Sequence, residues 1–170
     1  MLIFLVGLPG CGKSSLGKKL ARITRFPFCD LDQLIENGEG AKISELFSAL
    51  GEKKFRSVES QYLQKVKEME KAIVATGGGT PCFHDNMNLI NSLGISIFLD
   101  VPPDTIAQRL SQFGIEKRPV LNGKTREEIA ATLEHLRSVR LPYYSMSHIT
   151  LHNPDIRFHP EFMNFRGLGS

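Results

Sequence analysis

A chain of 170 residues with 41% hydrophobic and 23% charged residues has the composition of one globular domain with its own core, which excludes a disordered or fibrous chain. A net charge of +3 without a Lys/Arg block gives no electrostatic footprint for nucleic acid. The odd cysteine count (Cys11, Cys29, Cys82), without Cys-x-x-Cys spacing, argues against a disulfide framework or a zinc site and suits a cytoplasmic setting.

Taken in chain order, the first element is the apolar run Leu2 to Val6, a buried strand too short to cross a bilayer and with no basic segment before it, so neither membrane nor secretory leader is expected. Ser14 to Arg22 follows as a helix with Leu16 and Leu20 on one face. Phe26 to Cys29 reads as a second strand. Ile43 to Leu50 and Phe55 to Met69 carry a helical stripe through Leu46, Phe47, Val58, Tyr62 and Val66. Ala72 to Thr76 and Ile95 to Leu99 are strands three and four, and Asp104 to Leu110 is a further helix. Thr125 and Glu128 form a capping-box pattern that opens a helix through Ile129, Leu133 and Leu136, which Pro142 is expected to stop. His148 to Leu151 is the fifth strand. Strands alternating with helices predict a doubly wound α/β sheet covered on both sides. The stretch from Asp32 to Lys71 exceeds a minimal crossover, and the polar stretch Gln112 to Lys124 reads as a mobile loop.

The strongest motif is Gly7-Leu8-Pro9-Gly10-Cys11-Gly12-Lys13-Ser14, which matches the phosphate-binding pattern G-x-x-x-x-G-K-[ST] between a strand and a helix. Glycines let consecutive backbone N–H groups curl around phosphate oxygens, and the helix N-terminus adds partial positive charge. Lys13 brings a full charge to the β- and γ-phosphates and Ser14 a hydroxyl for Mg²⁺. Gly7 through Ser14, with Ser15 behind them, are therefore the candidate ATP-binding residues. Cys11 is read as a tolerated small residue within the loop.

Such a loop does not by itself separate kinases from ATPases and switches. Asp30 and Asp32 follow the second strand and, two apart in extended chain, are expected to point the same way. One can serve hydrated Mg²⁺ and the other an acceptor hydroxyl; the alternative is that one caps a helix near Gln33. Arg56, three residues before Glu59, reads either as a surface pair or as a ligand-binding group. Gly77-Gly78-Gly79 marks either a tight turn or a close backbone approach that offers N–H groups to a carboxylate. Arg118 beside Pro119 and Arg140 before Pro142 are candidates to meet a transferring phosphoryl group or a carboxylate.

Together, in this order and spacing, Gly7 to Ser14, Asp30-Leu31-Asp32, Phe55-Arg56 with Glu59, Gly77-Gly78-Gly79, Arg118-Pro119 and Arg140-Leu141-Pro142 with Tyr143 and Tyr144 resemble the shikimate kinase family. The likeness runs as far as Asn153-Pro154. It implies one P-loop kinase domain over residues 1–170, three layers α/β/α, with five parallel strands in the order 2-3-1-4-5. An acceptor-binding region spans about 33–71 and a lid about 112–124. It implies ATP-dependent phosphorylation of the 3-hydroxyl of shikimate with Mg²⁺, by a cytoplasmic monomer. It implies roles as well: Lys13 and Arg118 on the phosphates, Ser14 and Asp30 at Mg²⁺, and Asp32 as proton acceptor. Arg56 and Arg140 would clamp the carboxylate beside Gly77, helped by the backbone of Gly78 and Gly79, and Arg109 and Pro154 would border adenine. The rival readings are another small-molecule or nucleotide kinase and a nucleotide-binding regulatory module.

Overall fold

The structure, a computed structural model, describes residues 1–113 and 125–152. Its centre is β1 (Leu2–Val6), buried at all five positions. A strand apolar on both faces needs a layer over each face and belongs inside a parallel sheet. There it lies, between β3 (Ala72–Ala75) and β4 (Gly94–Asp100), with β2 (Phe28–Asp30) beyond β3 and β5 (Ile149–His152) beyond β4. All four pairings are parallel, with Leu2 opposite Ala72 on one side and Gly94 on the other. The expected order 2-3-1-4-5 is the observed one.

The helices are α1 (Lys13–Thr24), α2 (Leu31–Glu39), α3 (Ile43–Lys65), α4 (Asn86–Leu93), α5 (Pro103–Phe113) and α6 (Arg126–Tyr144). Gly51, at φ 73°, breaks α3 between the two segments expected from the periodicity. No described helix is long and apolar enough to cross a membrane.

Three local readings are corrected. The second strand starts at Phe28 rather than Phe26, since Pro27 has no N–H to offer, although its carbonyl accepts from Ile73 at 2.9 Å. The helix α4, short and polar on much of its surface, occupies a crossover for which no helical pattern was read. Pro142 does not end α6: the helix runs on to Tyr144, and Ser145 N–H still donates to the Leu141 carbonyl at 2.9 Å. The capping box is formed as expected, with Thr125 N–H donating to the Glu128 carboxylate at 2.7 Å and Glu128 N–H to the Thr125 hydroxyl at 3.2 Å.

The parallel order places the chain after β1, β2 and β3 together at the carboxyl edge of the sheet, where such folds bind ligands. Each of those three segments carries one of the sequence motifs.

Candidate active site

The loop after β1 is shaped by backbone geometry that only glycine adopts cheaply. Gly7, Gly10 and Gly12 have φ of 141°, 87° and 102°. A Cβ on Gly7 would also stand 2.9 Å from the Leu99 carbonyl oxygen, so the loop could not lie against β4 with any other residue there. Gly12 precedes the first residue of α1, which puts the N-terminal N–H groups of that helix at the loop. Lys13 is buried and folds back along the loop, donating to the carbonyls of Gly7 at 2.8 Å and Leu8 at 2.9 Å.

Beside it, the Ser14 hydroxyl donates to Asp30 Oδ2 at 2.7 Å. Asp30 Oδ1 accepts from Asp32 N–H at 3.2 Å and so caps α2. Oδ1 thus fills the capping reading, while Oδ2 stands beside the Ser14 hydroxyl. Asp32 is not in extended chain, as the sequence reading had it. It sits in the first turn of α2, where its backbone is held by Asp30. Its carboxyl is pushed up to about 6, first by burial, then by the Asp30 and Glu59 charges, against the pull of Lys13 and with a further push from Glu36.

The glycine run after β3 joins the rest. A Cβ on Gly77 would lie 2.9 Å from Asp32 Oδ1; on Gly78, 3.2 Å from Arg140 Nη1 and 3.0 Å from the Pro9 ring; on Gly79, 2.6 Å from Arg56 Nη1. Three successive glycines therefore lie against three separate candidate groups, and the middle one also touches the phosphate loop. The run does form a turn, since Thr80 N–H donates to the Gly77 carbonyl at 3.3 Å, but none of the three has a positive φ, so what glycine provides here is close approach rather than backbone freedom.

Arg56 is no surface pair. Its Nη1 donates to Glu59 Oε2 at 2.6 Å and its Nη2 to Glu52 at 3.1 Å. Glu59 is itself buried and accepts from the Thr80 hydroxyl at 2.7 Å. Behind Thr80, buried Asn86 donates to the Thr80 carbonyl at 2.8 Å and accepts from Ser60 at 2.9 Å. Three phenyl rings surround the guanidinium, with Phe83 nearest at 4.6 Å, Phe55 at 5.6 Å and Phe47 at 5.7 Å. Burial opposes the charge of Arg56, but the two glutamates outweigh it and raise its pKa. Its Nε is buried with no partner among the described residues, a donor that a bound anion would satisfy. Arg56 and Arg140 also act together on Cys82, whose thiol is pushed up to about 11 by burial while both arginines pull the other way.

Sequence reasoning missed Thr80, Asn86 and Phe83. The only local signal for Thr80 was its place directly after the glycines, and nothing in the sequence marks the other two. Arg109 lies exposed on α5, and Ser15 is exposed on α1. Arg118 and Pro154 lie outside the described residues, as does most of the expected lid. Asp100, at the end of β4, is taken up by Arg137 at 2.9 Å and by His152 at 3.3 Å.

A parallel α/β sheet, a glycine cradle with Lys13 and Ser14, and a carboxylate beside two converging arginines define a P-loop kinase of small molecules. Comparison sharpens this: the family model described as shikimate kinase matches residues 9–158, and the chain belongs to the shikimate kinase family. The shikimate kinase of Bacteroides fragilis is 43% identical over 142 residues, 84% of this chain and 79% of that one. That of Parabacteroides distasonis is 39% identical over 148 residues, 87% of this chain and 85% of that one. Among solved structures, the shikimate kinase of Bacteroides thetaiotaomicron superposes with a TM-score of 0.87 at 35% identity, covering 99% of this chain and 95% of that one. The enzyme of Acinetobacter baumannii in complex with shikimate superposes at 0.83 with 28% identity, covering 98% and 89%.

Proposed function

We propose that this chain transfers the γ-phosphoryl group of ATP to the 3-hydroxyl of shikimate. The observation that carries the reading is the glycine run, which lines up Asp32, Arg140 and Arg56 against consecutive residues beside the phosphate loop. An acceptor with one carboxylate and nearby hydroxyls matches that order, with the acid between the arginines and a hydroxyl toward Asp32.

Lys13, the N–H groups between Gly7 and Ser14 (Leu8, Gly10, Cys11 and Gly12 among them, Pro9 having none) and the start of α1 would hold the phosphates, with Ser15 behind them. An oxygen donor set of one hydroxyl and one carboxylate, 2.7 Å apart, fits a hard cation that keeps most of its waters. Ser14 would ligate Mg²⁺ directly and Asp30 through water, and the bound ion would neutralise charge on the phosphates.

Asp32, with a pKa near 6, is largely ionised at neutral pH yet close enough to it to accept a proton. It would take the proton of the acceptor hydroxyl as the oxygen attacks phosphorus. Arg56, through Nε and the rest of its guanidinium, and Arg140 would hold the carboxylate, beside Gly77 and with the N–H groups of Gly78 and Gly79 in support. That fixes the hydroxyl in line, which for phosphoryl transfer is most of the catalytic task. Region 33–71 would carry the acceptor side. The lid over 112–124 would bring Arg118 to the phosphates, with Arg109 and Pro154 bordering adenine. We take the enzyme to be a cytoplasmic monomer, and sedimentation at assay concentration checks the monomer.

The deciding experiment is a coupled ADP-release assay on purified protein with Mg²⁺ and ATP, with and without shikimate. ADP release is expected to depend on shikimate. Tight ATP binding with no such dependence would instead favour a regulatory nucleotide module, and dependence on a nucleotide acceptor would favour a different kinase.

A further inference from the structure

Tyr144 is fully buried as the last residue of α6, with its ring tilted over Phe98 at a centroid distance of 5.1 Å. A buried tyrosine needs a partner for its hydroxyl. Here the hydroxyl donates to the Gly78 carbonyl at 2.5 Å. Arg140, one helical turn back, has its Nη1 beside the same glycine, 3.2 Å from where a Cβ on Gly78 would stand. The hydroxyl and the guanidinium thus meet at one residue of the glycine run.

The consequence follows from peptide planarity. In a trans peptide the C=O and the following N–H point in opposite directions. Fixing the Gly78 carbonyl on Tyr144 therefore aims the Gly79 N–H away from Tyr144. Among the described residues, neither the Gly78 nor the Gly79 N–H has an acceptor of its own. The peptide that this hydroxyl orients is the one that Arg140 Nη1 lies against.

The helix needs this anchor. Pro142 removes one backbone donor from the last turns of α6, and an interior proline works against a helix by about 3 kcal/mol. Burial of the Tyr144 ring and the bond from Ser145 N–H to the Leu141 carbonyl offset that cost and keep the turn that carries Arg140 in register.

We infer that Tyr144 is a positioning residue for phosphoryl transfer: its hydroxyl locks the Gly78–Gly79 peptide, and with it the surface on which Arg140 rests, in the half of the site that receives the acceptor's carboxylate. The inference rests on the reading that Arg56 and Arg140 hold that carboxylate. Tyr144 does not touch the acceptor; it acts through Arg140 and the peptide.

The test is Tyr144→Phe, which deletes the hydroxyl and keeps the ring, assayed with shikimate and with its methyl ester, which lacks the charge. The KM for shikimate is expected to rise about tenfold, with the KM for ATP within twofold of wild type. With the ester, kcat/KM should be the same for variant and wild type. Loss of activity by equal factors on both acceptors would overturn the inference, because a general structural role predicts that. Failure of the variant to melt cooperatively would overturn it too, since the hydroxyl would then serve the fold. Arg140→Ala, run alongside, separates the two claims. If it raises the shikimate KM while Tyr144→Phe does not, only the inference on Tyr144 falls. If neither raises it, the carboxylate reading itself falls.

Discussion

The proposed donor and acceptor halves of this site are built by opposite means. The donor half is nearly all backbone: eight consecutive residues, glycines at positive φ, a helix terminus and one lysine folded along the same loop. The acceptor half is nearly all side chain. Asp32 comes from α2, Arg56 from α3 and Arg140 from α6, each seated against one glycine after β3. A backbone site is specified by which residues permit a conformation. A side-chain site is specified by what holds each group from behind, here Glu59 and Thr80 for Arg56 and Asp30 for the start of α2. The first can be written in a short motif, whereas the second requires the whole fold.

The sharpest way to break this contrast is at the two groups nearest the reaction. Asp32→Asn should cut turnover by about a thousandfold, read as ADP release at saturating substrates. Lys13→Ala should cost a comparable factor, but with loss of ATP binding, which Asp32→Asn should retain. Asp32→Asn should also raise the thermal midpoint at pH 7. A carboxyl lifted from its ordinary 3.8 to about 6 binds its proton more tightly folded than unfolded. Its contribution to stability is therefore complete below about pH 4 and lost as the pH rises through 6, a loss of up to about 3 kcal/mol that the amide does not suffer. An Asp32→Asn protein that melts below wild type at pH 7 would show that burial and like charge do not strain this carboxyl.

Next in size is Gly79→Ala. Its methyl would collide with Arg56, so the shikimate KM should rise about tenfold to a hundredfold while the ATP KM stays put. A rise in the ATP KM instead would mean that the two halves are not separable. Smaller still is the acid limb of the pH profile. The kcat/KM for shikimate should fall about tenfold per pH unit below about 6, and that limb should vanish in Asp32→Asn. The smallest effect is expected at Arg137, whose pair with Asp100 is partly exposed. Arg137→Ala should cost at most about 1 kcal/mol in denaturant unfolding and leave turnover within twofold.

The sheet order and the phosphate loop were legible beforehand, the order only because several short motifs occur in a fixed succession along the chain. Strand β1 was legible because five apolar residues in a row can only be buried on both sides. The geometry of the acceptor groups was not. Asp32 was expected in extended chain and proved helical, because Asp30 caps α2 one residue after the strand ends. Arg56 looked like half of a surface pair until Glu59 and Thr80 were found buried behind it. Helix α4 carried too little periodicity to be seen, and its first residue, Asn86, proved to be part of the same buried network.

By itself, then, the sequence determined those features that depend on residues near one another along the chain: strand hydrophobicity, the glycine loop, and the capping box at Thr125. Local sterics and local hydrogen bonds decide such features. Whether α6 stops at Pro142 or continues was decided only by tertiary structure, and so were the burial of Arg56 and the elevated pKa of Asp32. In each case a contact distant in sequence, such as Tyr144 on Gly78 or Glu59 on Thr80, outweighs the local preference. A proline's penalty or a carboxylate's ordinary pKa is only a few kcal/mol, and burial in a packed core supplies energies of the same size.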